Sequence, residues 1–164
     1  CKSRFAERLP RASGLARVYL ATATAGDDEM RARIAHHRAQ RGDGWRTVEE
    51  PLALVAALTR EASAGRVVLV DCLTLWLSSL MHAARDGEAE TWALADWLCD
   101  TRHPVLLVSN EVGLGLVPET PLGRDFRDAQ GRLNQAIAAA VPSVAFVAAG
   151  LPLWLKREFN EGAS

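Results

Sequence analysis

The segment RVVLVD (66–71) is the strongest indication of the fold in this sequence, because four consecutive aliphatic residues are followed directly by one aspartate. Two further runs have the same character, ARVYLAT (16–22) and PVLLVSN (104–110), and a fourth, SVAFVAAG (143–150), lies near the end of the chain. Each run is apolar almost without interruption, which is typical of strands buried on both faces of a parallel sheet. The four runs are therefore predicted to form one mainly parallel sheet.

Segments with helical spacing lie between and after these runs. They are DDEMRARIAHHRAQ (27–40), EPLALVAALTREA (50–62), TWALADWLCD (91–100) and GRDFRDAQGRLNQAIAAA (123–140). The alternation of strand and helix predicts an α/β fold. Ligands of open α/β sheets bind at the carboxyl ends of the strands, so site residues are expected just after the runs. Those positions hold Thr22 to Thr24, Asp71 and Cys72, and Asn110 and Glu111.

Length and charge narrow the class of protein. A chain of 164 residues suits one domain with a full hydrophobic core, and 49% hydrophobic with 24% charged residues is ordinary for a globular protein. Positions 1–48 carry ten basic and five acidic residues, a net charge of +5, while the remainder carries −6. A local positive excess suits a polyphosphate ligand. The near-neutral total and the lack of a basic stripe argue against a motor that acts on nucleic acid.

The cysteines indicate the compartment. Cys1, Cys72 and Cys99 are odd in number and form no C-x-x-C pair, which argues against a disulfide scaffold and against a zinc site. A reducing, cytoplasmic location is therefore expected. The longest apolar run falls well short of a membrane span, so no span is predicted.

The first residues resemble the end of a phosphate-binding loop that runs into a helix. In the motif G-x-x-x-x-G-K-[ST], the lysine reaches the β- and γ-phosphates and the hydroxyl holds Mg²⁺. Lys2 and Ser3 fit the last two positions, while Cys1 stands where the final glycine belongs. Asp71, at the end of a buried strand, fits the carboxylate that lies near Mg²⁺ in such sites. Two alternatives remain open: a chance Lys-Ser pair, and an Asp71 that caps the helix beginning CLTLWLSSLM.

The adjacent histidines of segment 27–40 are predicted to face different ways. Helical spacing places His37 on the same stripe as Met30 and Ile34, whereas His36 is turned by ~100°. His37 is accordingly interpreted as a packed structural histidine. His36 lies on the polar face, where an imidazole can act as an acid, a base or a nucleophile. The alternative for His36 is a solvated surface histidine.

Three long strings carry a family resemblance. They are YLATATAGDDEMRARIAHHRAQRGDGWRTVEEP (19–51), VVLVDCLTLWLSSL (67–80) and VLLVSNEVGLGLVPETPLGRDFRDAQGRLNQ (105–135). From Lys2 to about Lys156 the chain resembles the bifunctional adenosylcobinamide kinase / adenosylcobinamide-phosphate guanylyltransferase family of cobalamin synthesis. The string from VPE to RDFRD and GR is interpreted equally as substrate contact or as trimer packing and loop structure.

The resemblance implies a P-loop, RecA-like three-layer α/β fold with a mainly parallel central sheet, assembled as a homotrimer. One nucleotide-binding domain is expected over 1–156, followed by a polar tail at 157–164. The family begins with a strand and the loop G-G-x-R-S-G-K-S, of which this chain holds only the last part. The N-terminal strand and most of the phosphate loop are thus absent from this sequence, and we expect the parent protein to carry residues before Cys1.

The resemblance also implies two activities. Adenosylcobinamide is phosphorylated, and GMP then passes from GTP to that phosphate through a guanylylated histidine, giving adenosylcobinamide-GDP and pyrophosphate. ATP and GTP are the implied nucleotides and Mg²⁺ the implied metal. The competing hypothesis is a catalytically impaired nucleotide-binding or scaffold subunit of the same fold.

The motif positions assign roles to individual residues. His36, the first histidine of the pair, matches the guanylylated histidine. Ser3 and Asp71 match positions that bind Mg²⁺. The implied nucleotide contacts are Lys2, Ser3, Ala21, Thr22, Ala23, His37, Arg38, Ala39, Gln40, Glu49 and Asp71.

Overall fold

A computed structural model describes residues 2–24, 28, 32, 39 and 42–157. Within these residues the helices are α1 (Lys2–Arg11), α2 (Leu54–Glu61), α3 (Leu73–His82), α4 (Gly87–Asp100) and α5 (Pro121–Ala140). The strands are β1 (Ala16–Ala21), β2 (Trp45–Glu49), β3 (Arg66–Asp71), β4 (Val105–Val108), β5 (Ser143–Ala148) and β6 (Leu151–Arg157). The predicted α/β class is confirmed.

The main sheet has four parallel strands in the order β2-β1-β3-β4. Strand β3 lies between β1 and β4, and its residues 67–70 are buried, as the aliphatic run predicts. Asp71 is in register with Ala21 on one side and with Val108 on the other. Because the strands run in the same direction, their last residues lie together along one side of the sheet, which we call the carboxyl edge.

Side chains alternate between two faces of this sheet. On one face Tyr19, Leu69 and Val108 pack with Ala6 of α1, and we call this the α1 face. The opposite face packs against α2 to α5. Its strand contribution is Val18, Leu20, Val68 and Val70, and its helix contribution includes Leu54, Trp76, Leu94 and Leu133. The period of two along each strand separates the two sets, and helices on both faces give three layers.

The prediction that the run at 143–150 belongs to the main sheet is wrong. The run at 143–150 was expected in the parallel sheet, but β5 pairs antiparallel with β6 in a separate two-stranded sheet. Ala149 and Gly150 form the two-residue connection, with φ of 52° and 80°. Positive φ at both positions is the geometry of the tight hairpin turns that suit the twist of the strands. Strand β6 was not predicted, and it extends to Arg157, the first residue assigned to the tail; residues 158–164 lie outside the described residues.

Other boundaries differ for local reasons. Strand β2 was not predicted, because WRTVE at the sheet's edge has little of the continuous apolar character of the buried strands. Helix α2 begins at Leu54 rather than near Glu50, since the Glu50 carboxylate accepts hydrogen bonds from the backbone of Leu52 and Ala53 in a turn before the helix. Helix α4 begins four residues earlier than predicted. No helix among the described residues has both the length and the apolar character to cross a membrane.

Candidate functional site

Asp71 ends the central strand β3 at the carboxyl edge. Its Oδ2 accepts a hydrogen bond of 3.0 Å from the hydroxyl of Tyr19 on the neighbouring strand β1. The residue that precedes helix α3 is Cys72, and no side-chain hydrogen bond caps that helix. The interpretation of Asp71 as a helix cap is therefore wrong. Within the described residues its Oδ1 makes no hydrogen bond, so one carboxylate oxygen remains for a ligand.

Helix α1 carries Lys2 and Ser3 in its first turn, as predicted, and packs over β3 and β4. The helix ends at Arg11, and only 12–15 separate it from the start of β1. Its C-terminus consequently lies at the amino ends of the strands, and its N-terminus points to the carboxyl edge. Ten helical residues span ~15 Å and six strand residues ~20 Å, so the first turn reaches near the end of β3.

Lys2, Ser3 and Asp71 thus lie toward the same edge and on the same face of the sheet. The unpaired N–H groups of a helix N-terminus attract phosphate, and a lysine ammonium adds a full positive charge there. Both Lys2 and Ser3 are half-buried, so their side chains are partly open to solvent. These positions are compatible with the predicted binding of phosphate by Lys2 and Ser3 and of Mg²⁺ by Ser3 and Asp71, which stays a prediction.

Thr22, one residue beyond β1, holds the end of β3 in place. Its fully buried hydroxyl donates to the carbonyl of Cys72 at 2.7 Å and accepts from the Cys72 N–H at 2.8 Å. The Thr22 N–H also donates to the Asp71 carbonyl at 3.3 Å. The peptide bond between Asp71 and Cys72 is cis. Thr22 was predicted to contact nucleotide, and that role stays a prediction. In this structure both hydrogen bonds of its hydroxyl go to the backbone of Cys72, which supports the end of β3 beside Asp71.

Cys72, the residue after Asp71, has an unreactive thiol. Burial, the largest cause, raises the pKa of its thiol; a hydrogen bond from the Leu75 backbone lowers it, the Asp71 carboxylate raises it to a smaller extent, hydrogen bonds from Thr74 lower it slightly, and the net pKa is raised. The thiol therefore stays protonated near neutral pH and offers no thiolate to a metal or an electrophile. Among the residues that the structure describes, no group of three His, Cys, Asp or Glu side chains is placed to hold a metal ion.

Tyr19 is a site residue that the sequence reasoning missed. It is buried on the α1 face, and its ring meets that of Trp45 edge-on, with centroids 6.2 Å apart. The guanidinium of Arg17 lies 5.5 Å from the Trp45 ring centre. Tyr19 is the single tyrosine of the chain and interrupts an aliphatic run. A buried phenol needs a polar partner, and that requirement was the available signal.

The remaining predicted contacts divide into two groups. Ala21 and Ala23 lie at the carboxyl edge, half-buried on either side of Thr22. Glu49 is exposed and is in register with Ala21, so it also lies at this edge, but two strands away from Asp71. Ala39 is helical and exposed. Of the predicted helix at 27–40, residues 28, 32 and 39 are described and are helical. The roles of His36, His37, Arg38 and Gln40 concern positions that are outside the described residues.

A parallel sheet covered by helices on both faces, with a Lys-Ser pair opening one helix and an aspartate ending a central strand, has the features of a P-loop-type nucleotide-binding protein. Comparison with known proteins gives the family. Residues 1–155 match the model of the cobinamide kinase / cobinamide phosphate guanyltransferase family. The chain belongs to this family of enzymes.

Two relatives show how far the similarity extends. The chain is 55% identical over 161 residues to the bifunctional adenosylcobalamin biosynthesis protein CobP of Pseudomonas aeruginosa, covering 96% of this chain and 92% of the relative. It is 38% identical over 172 residues to the bifunctional adenosylcobalamin biosynthesis protein CobU of Escherichia coli, covering 94% and 93%. The similarity therefore includes nearly the whole of both proteins.

Proposed function

We propose that this chain phosphorylates adenosylcobinamide and then transfers GMP from GTP to the new phosphate. The observation that carries the proposal is the position of Lys2 and Ser3, in the first turn of α1, at the same edge and face of the sheet as Asp71. Membership of the family and the names of the relatives support both activities.

The kinase step uses the N-terminal turn of α1. The Lys2 ammonium balances charge on the β- and γ-phosphates, and the backbone N–H groups of the turn add donors. The Ser3 hydroxyl and the Asp71 carboxylate suit Mg²⁺, which typically takes one or two protein oxygens together with phosphate oxygens and waters. The Asp71 Oδ1 that makes no hydrogen bond among the described residues fits this requirement. The metal would neutralise charge on the phosphates during transfer.

The guanylyl step is assigned to His36. A neutral imidazole nitrogen attacks the α-phosphorus of GTP, the bond from that phosphorus to the bridging oxygen breaks, and pyrophosphate leaves. The ring loses the proton of its other nitrogen and becomes a phosphoramidate. An oxygen of adenosylcobinamide phosphate then attacks the same phosphorus, the P–N bond breaks, its electron pair returns to the ring nitrogen, and the ring takes back one proton from solvent to become neutral imidazole again. Basic residues and Mg²⁺ would offset the charge on the leaving pyrophosphate.

The assembly that we propose is a homotrimer, with nucleotides and the corrinoid as partners. Sedimentation equilibrium measures the mass of the assembly directly. A monomer at micromolar concentration would contradict the trimer and leave the chemistry to be tested separately.

Mass spectrometry of the intact protein, with and without Mg·GTP, tests the guanylyl step. We expect a mass increase of one GMP unit, mapped to His36 by peptide analysis and absent from the His36→Ala variant. His103→Ala is the matched control, because His103 is exposed and precedes β4 at the amino ends of the strands. A wild-type protein that binds GTP but forms no adduct would contradict the guanylyl mechanism and favour a nucleotide-binding scaffold.

The kinase step needs its own measurement. Wild-type protein is incubated with adenosylcobinamide, Mg²⁺ and ATP or GTP, and the phosphorylated corrinoid is quantified. We expect Asp71→Asn to lower kcat by about 100-fold or more, since a neutral amide replaces the metal-binding carboxylate. Retention of full activity by this variant would exclude Asp71 from the metal site.

A further inference from the structure

The two residues that follow β4 occupy the carboxyl edge beside Asp71. Val108 is the register partner of Asp71 and the last residue of β4, so Ser109 and Asn110 extend beyond the end of the paired sheet. Two residues of extended chain advance ~6.6 Å, and neighbouring strands are ~4.8 Å apart. Asn110 is therefore close enough for its side chain and that of Asp71 to meet around one small group.

Ser109 faces away from α1. Its hydroxyl donates to Oδ1 of Asn134 at 2.6 Å and accepts from Nε2 of Gln130 at 3.0 Å, and both partners belong to α5. Along β4, Leu106 and Val108 are on the α1 face, so Ser109 continues the alternation on the opposite face. By the same alternation we expect the next side chain, that of Asn110, on the α1 face, where Asp71 and Tyr19 lie.

Both backbone groups of Asn110 are fixed by side chains from other helices. Its N–H donates to Oγ1 of Thr74 in α3 at 2.9 Å, and its carbonyl accepts from Nδ2 of Asn134 in α5 at 3.0 Å. Thr74 is buried, and the amide of the fully buried Gln130 holds Asn134 at 2.9 Å. Because Thr74, Gln130 and Asn134 are already held by packing and hydrogen bonds, the backbone of Asn110 is in position before a ligand binds.

The Asn110 carboxamide itself makes no hydrogen bond within the described residues, and the residue is half-buried. Thr74 and Asn134 thus fix the main chain at this position, Ser109 and Gln130 hold Asn134 in turn, and the side chain of Asn110 remains available. A neutral amide can donate a hydrogen bond to a phosphate oxygen even when a carboxylate is nearby. A lysine or arginine at this position would instead form an ion pair with that carboxylate. An acidic side chain here would instead repel both Asp71 and the phosphate.

We infer that Asn110 is a further catalytic residue of the kinase step, whose Nδ2–H group donates a hydrogen bond to the phosphoryl group in transfer. The inference rests on the proposed function and adds a residue to the same site. Charge on the equatorial oxygens is balanced most effectively by donors that are already in position when the transition state forms. Thr74, Ser109, Gln130 and Asn134 act as positioning residues for this amide.

The test compares Asn110→Ala and Asn110→Asp with wild type in the kinase assay. Loss of one positioned donor is expected to lower kcat by about 100-fold, with the KM for the nucleoside triphosphate changed by less than about threefold. Asn110→Asp is expected to fall at least as far, because it places a second carboxylate beside Asp71. Binding of Mg·ADP and Mg·GDP, which lack the transferred group, should stay at the wild-type level.

Two comparisons keep the outcomes distinct. Gln135→Ala, which removes an exposed amide of α5 next to Asn134, should retain wild-type kcat. Asn134→Ala should lower kcat by about tenfold at an unchanged KM, as expected of a positioning residue. Asn134→Gln should not restore kcat, since the longer amide displaces Asn110. If wild type makes no corrinoid phosphate, the proposed function fails. If wild type is active and Asn110→Ala keeps kcat within about threefold, only the role of Asn110 is overturned.

Discussion

The hydroxyl of Tyr19 donates to Oδ2 of Asp71 at 3.0 Å, across two neighbouring strands and 52 residues of sequence. The bond fixes one carboxylate oxygen, while the other makes no hydrogen bond among the described residues, at the edge toward which the first turn of α1 points. Tyr19 also meets the ring of Trp45, so the phenol has little freedom to move. The carboxylate that we assign to the metal is thereby oriented before any ligand binds.

Tyr19→Phe should impair the kinase step without unfolding the protein. The phenyl ring keeps its packing with Leu69 and Val108, but Asp71 loses the donor that orients it. We expect kcat to fall about tenfold, equivalent to about 1.4 kcal/mol, and the Mg²⁺ concentration for half-maximal rate to rise. Rate measurements over a Mg²⁺ series check this. A variant with the wild-type rate and the wild-type Mg²⁺ dependence would show that Tyr19 serves packing alone.

Thr22→Val should destabilise the carboxyl edge. Valine has nearly the same shape as threonine, yet it leaves the N–H of the buried Cys72 without its acceptor, while the Cys72 carbonyl keeps the hydrogen bond from the Trp76 N–H. We expect the free energy of unfolding to fall by about 2 kcal/mol, measured by chemical denaturation. Thr22→Ser should recover most of this loss.

Thr47→Val is the control for that variant. Thr47 lies on β2 in register with Tyr19, and valine suits a strand at least as well as threonine. A change of less than about 0.5 kcal/mol is expected at this position. If both variants lost the same free energy of unfolding, the hydroxyl of Thr22 would contribute nothing specific to stability.

Glu61, the last residue of α2, is buried among three arginines. Its carboxylate accepts hydrogen bonds from Arg46 and, at 3.2 Å, from Nε of Arg60, while Nη1 of Arg66 lies 3.7 Å away. Burial by itself raises the pKa of Glu61, but the hydrogen bonds and charges of Arg46 and Arg60 outweigh it, and the net effect lowers the pKa below the usual value. The ionised form is therefore the one that stabilises the fold.

The effect of Glu61→Gln should depend on pH. Because the pKa is lower in the folded state, the stabilisation is fully present above the ordinary glutamate pKa of 4.5 and is lost as the pH falls through the folded value. At pH 7 we expect the variant to be about 2 kcal/mol less stable than wild type. Denaturation at several pH values should show the two proteins converging in acid. A gap that stays constant down to pH 3 would disprove the ionic contribution.

Asp86→Ala should weaken the start of α4. One carboxylate oxygen of Asp86 accepts from the backbone N–H groups of Glu88 and Ala89, each at 3.0 Å, and its loss should cost about 1 kcal/mol. Thermal unfolding would then shift down by about 2–4 °C. Asp96→Ala removes an exposed aspartate from the middle of the same helix and should leave the midpoint unchanged. Equal shifts in both variants would point to net charge rather than capping.

The parts of the site that could be predicted were those carried by local patterns. The run ending in Asp71 had to be a buried strand, because continuous aliphatic residues need cover on both faces. A parallel sheet then placed Asp71 at the carboxyl edge, where ligands of such sheets usually bind. Lys2 and Ser3 were recognisable from the motif, since a phosphate-binding turn depends on neighbouring residues. In contrast, β5 carried the same apolar signal as the buried strands, and only the hairpin at Ala149 and Gly150 set it apart.

Local sequence patterns specify the alternation of strand and helix and the residues that reach the carboxyl edge, because burial and chain direction are encoded over short windows. The partners of those residues are set only when the strands and helices pack together. Tyr19 meets Asp71 and Thr22 meets Cys72 across 52 and 50 residues, and Asn134 holds Asn110 across 24. Such pairs depend on strand order, register and helix packing, which are properties of the assembled core rather than of any one segment.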